Sequence, residues 1–268
     1  MLTEITTENL AKVVHLFAPL AAFNVAIPAA IDGHNWGYVL ADDAEQPTAA
    51  LMHTVEGTHI AGTPTETIVA ELNRYLHEHY FTDERRVLYF GATEGWRPYL
   101  DQLCAPYAVT PDPRQHYVCT PADRQGRVLP APENYHLRPI DAGLLNDPDL
   151  TVPDHIHSWV RYNWGSQAHY LREGFGMGIE HDGRIVSWSL ADCRSGSRCE
   201  IGIQTQKTFR RQGLAAVVAA ACADLAFAKG FTEVGWHCDA DNIGSWKTAM
   251  KVGFVKERDN TMYLCRVT

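Results

Sequence analysis

From Leu214 to Phe227 the chain reads LAAVVAAACADLAF, apolar on every face, with Asp224 its single charge. Alanine and leucine are strong helix formers. A helix apolar all round has to be covered on all sides, so this segment must lie between a sheet and further elements. It stops at Gly230, with Lys229 near the negative end of the helix dipole. Ahead of it, Glu200–Thr205 reads as a strand, followed by a loop ending in Arg210-Arg211-Gln212-Gly213. The free N–H groups and partial positive charge of a helix start bind phosphate. Gly213 and the small Ala215 let an anion approach the backbone, and Arg210 and Arg211 can add charge-assisted hydrogen bonds.

The flanking pattern predicts a strand at Tyr135–Ile140, helix from Pro153 to about Tyr170, and a hairpin of Phe175–Glu180 with Ile185–Ala191 about Asp182-Gly183. After the apolar helix come a strand at Val234–Cys238, a short helix at Gly244–Val252, and strands at Phe254–Arg258 and Met262–Val267 around an Asp259-Asn260 turn. The front half reads as a mixed α/β region without a catalytic motif. A helix begins near Thr7, and strands are expected at Trp36–Ala41, Ala49–His53, His59–Ala61, Val87–Phe90 and Tyr117–Thr120. Thr63-Pro64-Thr65-Glu66 reads as a capping box with proline at the first helical position. Residues 120–134, with three prolines and a glycine, are the expected linker. The domains are therefore expected at 1–125 and 133–268.

The net charge of −9 (23 basic against 32 acidic residues) argues against nucleic-acid or anionic-membrane partners, which need clustered Lys and Arg. Seven cysteines, an odd number with no C-x-x-C pair, argue against a disulfide framework or structural zinc and for a reducing, cytoplasmic setting. The apolar run Val13–Ala30 carries Glu4 and Glu8 ahead of it and is broken by Pro19, Asn24 and Pro28, so it reads as core rather than a signal or a membrane span.

About 30 residues beyond the R-x-x-G-x-A motif at Arg210–Ala215 lie Asn242-Ile243-Gly244-Ser245, then Ala249, then Gly253-Phe254. This pair of motifs, separated by a helix and a strand, resembles the two signatures of the GNAT superfamily of acyltransferases, over about residues 135–268. The whole chain resembles the two-part group that includes zwittermicin A self-resistance acetyltransferases, on the T-x-x-x-F-R-x-x-G-L-A run from Thr205 to Ala215 and on Trp236-His237-Cys238 followed by Asn242 and Ser245. The resemblance implies an α/β fold, a mixed, mostly antiparallel twisted sheet flanked by helices. A smaller α/β domain, a decayed copy of the same fold, would precede it.

It also implies acetyl-CoA as co-substrate. The pantetheine arm would lie between the Glu200–Thr205 and Val234–Cys238 strands, paired with the backbone of Ile201, Ile203 and Thr205. The diphosphate would sit on the N–H groups from Arg211 through Gln212, Gly213 and Leu214 to Ala215. Asn242 and Ser245 would form the far wall, and a backbone N–H near Ile203 would stabilise the oxyanion. Glu200 is the candidate base, with His237 and Asp239 as alternatives. The tyrosine that many members carry seven residues after the motif Asn is Ala249 here, so Ser245, Tyr263 or solvent would protonate the leaving thiolate. Trp159, Trp164 and Tyr162 fall where acceptor-binding helices are expected, and Trp159, Trp164 and Trp188 are the expected substrate-binding residues. The expected partners are a small-molecule amine, an amino-bearing antibiotic among the options, and a second copy of the chain, with no nucleic acid and no membrane. A protein or peptide acceptor, and a non-catalytic acyl-CoA-binding module, are the competing readings.

Other constellations carry less. Gly174-x-Gly176-x-Gly178 precedes a hairpin instead of opening a helix, unlike a dinucleotide fingerprint. His77-Glu78-His79 and Asp154-His155-Ile156-His157 lack the i, i+4 spacing of a helical metal site, and no metal is expected. Cys238 and His237, adjacent on a strand, point to opposite faces.

Overall fold

In a computed structural model, residues 2–81 and 87–267 are described, and contacts divide the chain into two compact units. The first holds residues 1–114 and 260–268, the second residues 115–259.

The first unit runs β1 (Thr3–Glu4), α1 (Val14–Ala21), α2 (Ala26–Ile31), β2 (Gly37–Ala41), β3 (Ala49–Thr54), β4 (Gly57–Gly62), α3 (Glu66–His79), β5 (Val87–Ala92), α4 (Leu100–Cys104) and the start of β6 (Val109–Cys119). Strands β1 to β4 pair antiparallel in sequence order, and β4 pairs parallel with β5 through Thr58↔Phe90 to Ile60↔Ala92. The far side of β5 is taken by the end of β12 (Val255–Arg266), through Tyr263↔Phe90 to Arg266↔Val87. Ile68, Val69, Leu72 and Leu76 bury one face of α3, as the 3.6-residue period requires. The helix starts two residues later than the sequence suggests. The Thr63 N–H is bound by the Thr48 carbonyl at 2.8 Å, which keeps it in strand geometry, so Thr65 caps instead, accepting from Ile68 N.

The second unit continues with α5 (Pro121–Arg124), β7 (His136–Pro139), α6 (Ala142–Leu145), α7 (Asp154–Trp164), α8 (Gln167–Glu173), β8 (Gly176–His181), β9 (Arg184–Ser195), β10 (Arg198–Thr205), α9 (Leu214–Ala228), β11 (Glu233–Asp239) and α10 (Ile243–Val252). Its strand order is β7-β8-β9-β10-β11, then the end of β6, then the start of β12. Asp182 and Gly183 both have positive φ (49° and 70°), the geometry of a tight hairpin turn. The units thus repeat one order: antiparallel strands, a helix, a parallel strand, a helix and a last strand.

Two expectations are corrected. Residues 254–267 form no hairpin. Asp259 and Asn260 are not among the residues with positive φ, so the chain stays extended and β12 is one strand of twelve residues. Residues 120–124 of the expected linker are an ordered, capped turn. Thr120 and Asp123 form a reciprocal capping box, and Arg124 is buried. Its guanidinium grips both carboxylate oxygens of Asp224, at 2.9 and 2.8 Å, and donates to the Val252 carbonyl at 2.8 Å. The single charge on the apolar helix α9 therefore has a partner in the segment that composition marks as linker. Tyr117 and Cys119 join the core of the second unit, and Cys265 that of the first.

Helix α9 is buried as its composition demands. Nine of its fifteen residues are inside, and only Asp224 and Ala228 are exposed. All seven cysteines are free and buried, and burial pushes the thiols of Cys119 and Cys222 up to about 12. Among the described residues no helix is long and apolar enough to cross a membrane.

Candidate active site

Strands β10 and β11 begin as a parallel pair, Arg198↔Glu233 to Glu200↔Gly235, and the pairing ends there. From Ile201 onward β10 keeps β9 on one side, and the ladder to β11 is gone. A bulge in β9 coincides with the parting: Cys193 pairs with Glu200 and Ala191 with Ile201, which leaves Asp192 as the extra residue. The parted edge of β10 offers main-chain groups to an extended ligand arm.

The loop after β10 closes onto α9. Arg210 Nε donates to the Thr205 carbonyl at 3.1 Å, Arg211 takes φ of 63°, and Gly213 caps the helix at φ of 83°, a left-handed conformation that glycine adopts freely. A cavity of about 600 Å³ opens at this helix start. Its walls include Ile203, Thr205, Arg210, Arg211, Gly213, Leu214 and Ala215 on one side and Asn242, Ser245, Lys247, Thr248 and Lys251 on the other. Four basic side chains and no acidic one line it, which suits a polyanion.

Nine residues expected to hold the cofactor thus surround one space. Ile201 and Gln212 are the exceptions: Ile201 is buried, and the Gln212 side chain accepts from Tyr135 Oη at 2.9 Å. Asn242 caps α10 through Ser245 N, and Ser245 Oγ accepts the Trp236 indole N–H at 3.0 Å, which leaves its hydroxyl proton to donate. Ala249 is fully buried, and Tyr263 packs on Phe90 in the first unit, not in the cavity wall. Lys247 and Lys251 were missed by the sequence reading. Their i, i+4 spacing on the helix begun by the Asn242 motif is the signal that points to them.

Deeper in the splay, Glu200 is 2% exposed. His237 Nε2 lies 3.4 Å from its Oε1, and the His237 ring stacks on His116 with centroids 4.3 Å apart and planes 26° from parallel. His116, from the end of β6, is buried, and its Nδ1 meets Glu257 Oε2 at 2.8 Å. Gly235 makes this closeness possible: a Cβ there would sit 2.8 Å from Glu200 Cγ and 3.2 Å from His116 Nε2. Burial, then the neighbouring His237, hold His116 below its ordinary value against the pull of Glu200 and Glu257. Burial works to raise the Glu257 carboxyl, but the His116 hydrogen bond and charge, with Arg258, hold it below its ordinary value. His116, Glu200 and His237 bring ligand-type atoms within 4.8 Å of one another. Imidazole lone pairs lie in the ring planes, however, and two nearly parallel planes do not converge at the roughly 2 Å bond length of a zinc site. The arrangement suits proton transfer.

Trp159 lies over β10. A Cβ on Gly202 would come within 2.3 Å of its ring, and its indole N–H donates to Asp192 Oδ1 at 2.5 Å, where Asn163 Nδ2 also donates at 2.8 Å. Trp164 and Trp188 are core residues, 3% and 2% exposed, while Tyr162 is exposed. Asp239 is half-buried at the end of β11. His77 and His155 are engaged locally, with the Ala105 carbonyl and the Trp159 ring.

Among the described residues, the first unit holds no equivalent of the cavity's loop. Gly62 leads through Pro64 straight to α3, whose first turn carries Glu66.

A family model described as GNAT acetyltransferase matches residues 20–263. No curated protein matches the chain. Among solved structures, a GCN5-related N-acetyltransferase-like protein from Streptococcus suis shares 20% identity, covering 97% of this chain and 99% of that one, with a TM-score of 0.73. A tandem GNAT protein from the clavulanic acid biosynthesis pathway is 12% identical, with 99% and 98% covered and a TM-score of 0.63. A GCN5-related N-acetyltransferase from Sphaerobacter thermophilus is 11% identical, with 98% and 95% covered and a TM-score of 0.60. At these identities the likeness is one of fold.

Proposed function

The chain belongs to the GNAT acetyltransferase family, and on that premise we propose that it is an acetyl-CoA-dependent N-acetyltransferase for the amine of a small molecule, with its chemistry in the second unit. The observation that carries this reading is the cavity at the start of α9, lined by Arg210, Arg211, Lys247 and Lys251 and continuous with the parted edge of β10. A coenzyme A thioester supplies the activated acyl group. The first-turn N–H groups of α9 and the four cations hold its diphosphate. The β10 main chain beyond Glu200 aligns the arm, and an N–H near Ile203 faces the charge that builds on the carbonyl oxygen.

Glu200 is the proposed base. It is buried at the point where the strands part, beside His237. Ser245, on the cavity wall with its hydroxyl proton available, is the proposed donor to the leaving sulfur. Trp159 and Asp192 form the proposed acceptor wall: an aromatic face and a carboxylate are what a protonated amine seeks. The likeness to zwittermicin A self-resistance acetyltransferases makes an amino-bearing antibiotic the proposed acceptor.

Thiol release from acetyl-CoA with a panel of polyamines, aminopolyols and peptides tests the reading. Turnover on the small amines and none on peptides is expected. Peptide-only activity points to the protein-acceptor reading, and no thiol release with any amine refutes catalysis. Glu200→Gln is expected to lower turnover at neutral pH roughly 10²- to 10⁴-fold, with acetyl-CoA affinity unchanged.

A further inference from the structure

We propose that His116 and Glu257 form a proton exit behind the base, so that the proton an amine loses to Glu200 passes to His116 and leaves the protein at Glu257. The proposal rests on Glu200 being the base. Side-chain exposure rises along the route, from 3% at Glu200 and 4% at His116 to 37% at Glu257. A carboxylate so deeply buried gains a proton in each turnover and has no direct contact with bulk water through which to lose it. His116 Nε2 and the Glu200 carboxyl both border Gly235, with ligand-type atoms of the two residues within 4.8 Å of each other, and His116 Nδ1 touches Glu257.

The tautomer follows from the partners. An ionised Glu257 only accepts, so His116 Nδ1 carries the hydrogen and Nε2 keeps its lone pair towards Glu200. Burial and His237 make the imidazole hold a proton less readily, so that it passes one on instead of keeping it. The transfer balances: the ammonium N–H breaks and the Glu200 O–H forms, then Nε2 takes that proton, and Nδ1 releases its own to Glu257 and on to solvent. Each passage leaves the hydrogen on Nε2 and none on Nδ1, and the cycle closes when water-mediated tautomer exchange carries that hydrogen back to Nδ1. No electrons change hands. The charged and titratable groups facing His116 are Glu200 from β10, His237 from β11 and Glu257 from β12, with Arg258 Nε 3.4 Å from Glu257. His116 is thus a positioning and relay residue, 84 positions before the base it serves.

The test measures thiol release from acetyl-CoA with spermidine and with an aminopolyol, across pH and buffer concentration, for the full chain and its variants. His116→Ala is expected to lower kcat about tenfold or more, with acetyl-CoA affinity unchanged by calorimetry, and imidazole in the buffer should restore much of the rate. Glu257→Gln, changed nearer the surface where folding is less at stake, should give a smaller loss that strong buffer relieves. A His116→Ala rate within twofold of wild type, or a loss that imidazole does not relieve and Glu257→Gln does not share, overturns the exit. Glu200→Gln slow in the same assay would then leave the base intact. Glu200→Gln at the wild-type rate would instead fail the base itself, and the exit with it. A readout without any acceptor is the NMR titration of histidine-labelled protein: Glu200→Gln and Glu257→Gln should each lower the pKa of His116. An unmoved His116 titration overturns the coupling.

Discussion

Substituting Gly213 separates what the helix start gives the anion from what the surrounding cations give. A Cβ at Gly213 would meet only Lys251 Nζ, at 4.0 Å, so the position has room, but φ of 83° is strained for any other residue. Gly213→Ala therefore costs about 1–2 kcal/mol of backbone strain and sets a methyl group where a diphosphate would approach the N–H groups. Gly213→Asp adds a carboxylate roughly 5 Å from that diphosphate, and at an effective dielectric near 20 one such pair of charges repels by about 3 kcal/mol. The new carboxylate also engages Lys251 and withdraws one of the four cations. Water at this exposed site screens part of the repulsion. The net expectation is about 2–4 kcal/mol, or roughly 30- to 1000-fold weaker binding of coenzyme A. Gly213→Ala should lose about fivefold to tenfold. Calorimetric titration with coenzyme A at low and high salt measures both variants, with thermal melts to show that each is folded. Added salt should narrow the gap for Asp and leave that for Ala unchanged. A Gly213→Asp variant that binds within threefold of wild type refutes the placement of the diphosphate.

Three further outcomes follow from the packing. A fragment of residues 133–268 lacks the part of β6 that carries His116, Tyr117 and Cys119, and it lacks Arg124. It should show no cooperative melt and no coenzyme A binding, and wild-type binding by the fragment would refute the role given to that strand. Arg124→Leu should destabilise the protein by about 2–3 kcal/mol in urea unfolding, because the Val252 carbonyl loses its donor inside the protein. The half-exposed Asp224 recovers water and adds little, so Asp224→Asn should cost less, and equal losses would contradict that division. His116 holds its proton less readily in the folded chain than its ordinary 6.5. The unfolded chain takes up that proton first, so stability contributed by the group is intact above about pH 6.5 and falls as pH drops from there to the folded value. His116→Asn should flatten that slope in denaturant melts across pH, and an unchanged slope would show that His116 is not its source.

The residues that line the cavity were legible because they are local in sequence. A strand, a loop with Gly213 and the start of α9 are contiguous, and the Asn242 motif opens the next crossover, so spacing alone brings nine of the expected residues around one cavity. The surroundings of Glu200 were half legible. Glu200 stands at the start of the same strand, but His116 and Glu257 reach it from strands far off in sequence, and no spacing rule relates them. Composition misread residues 120–124 as linker, because three prolines and mixed charge look the same whether or not a buried arginine finds a carboxylate. It misread residues 259–260 as a turn, because Asp-Asn favours turns locally while neighbouring strands can hold the same dipeptide extended. Of the tryptophans, Trp159 lies by the parted strands, but helical spacing could not tell it from the buried Trp164.

The sequence by itself determined that an all-apolar helix must be enclosed between layers and that a glycine leads into its first turn, since helix propensity and burial are properties of a short stretch of chain. Only the tertiary structure decided which strand lies beside β11 and so which histidine stands behind Glu200, because pairing between distant strands is settled by the packing of whole faces and leaves no mark in the spacing of the residues it brings together.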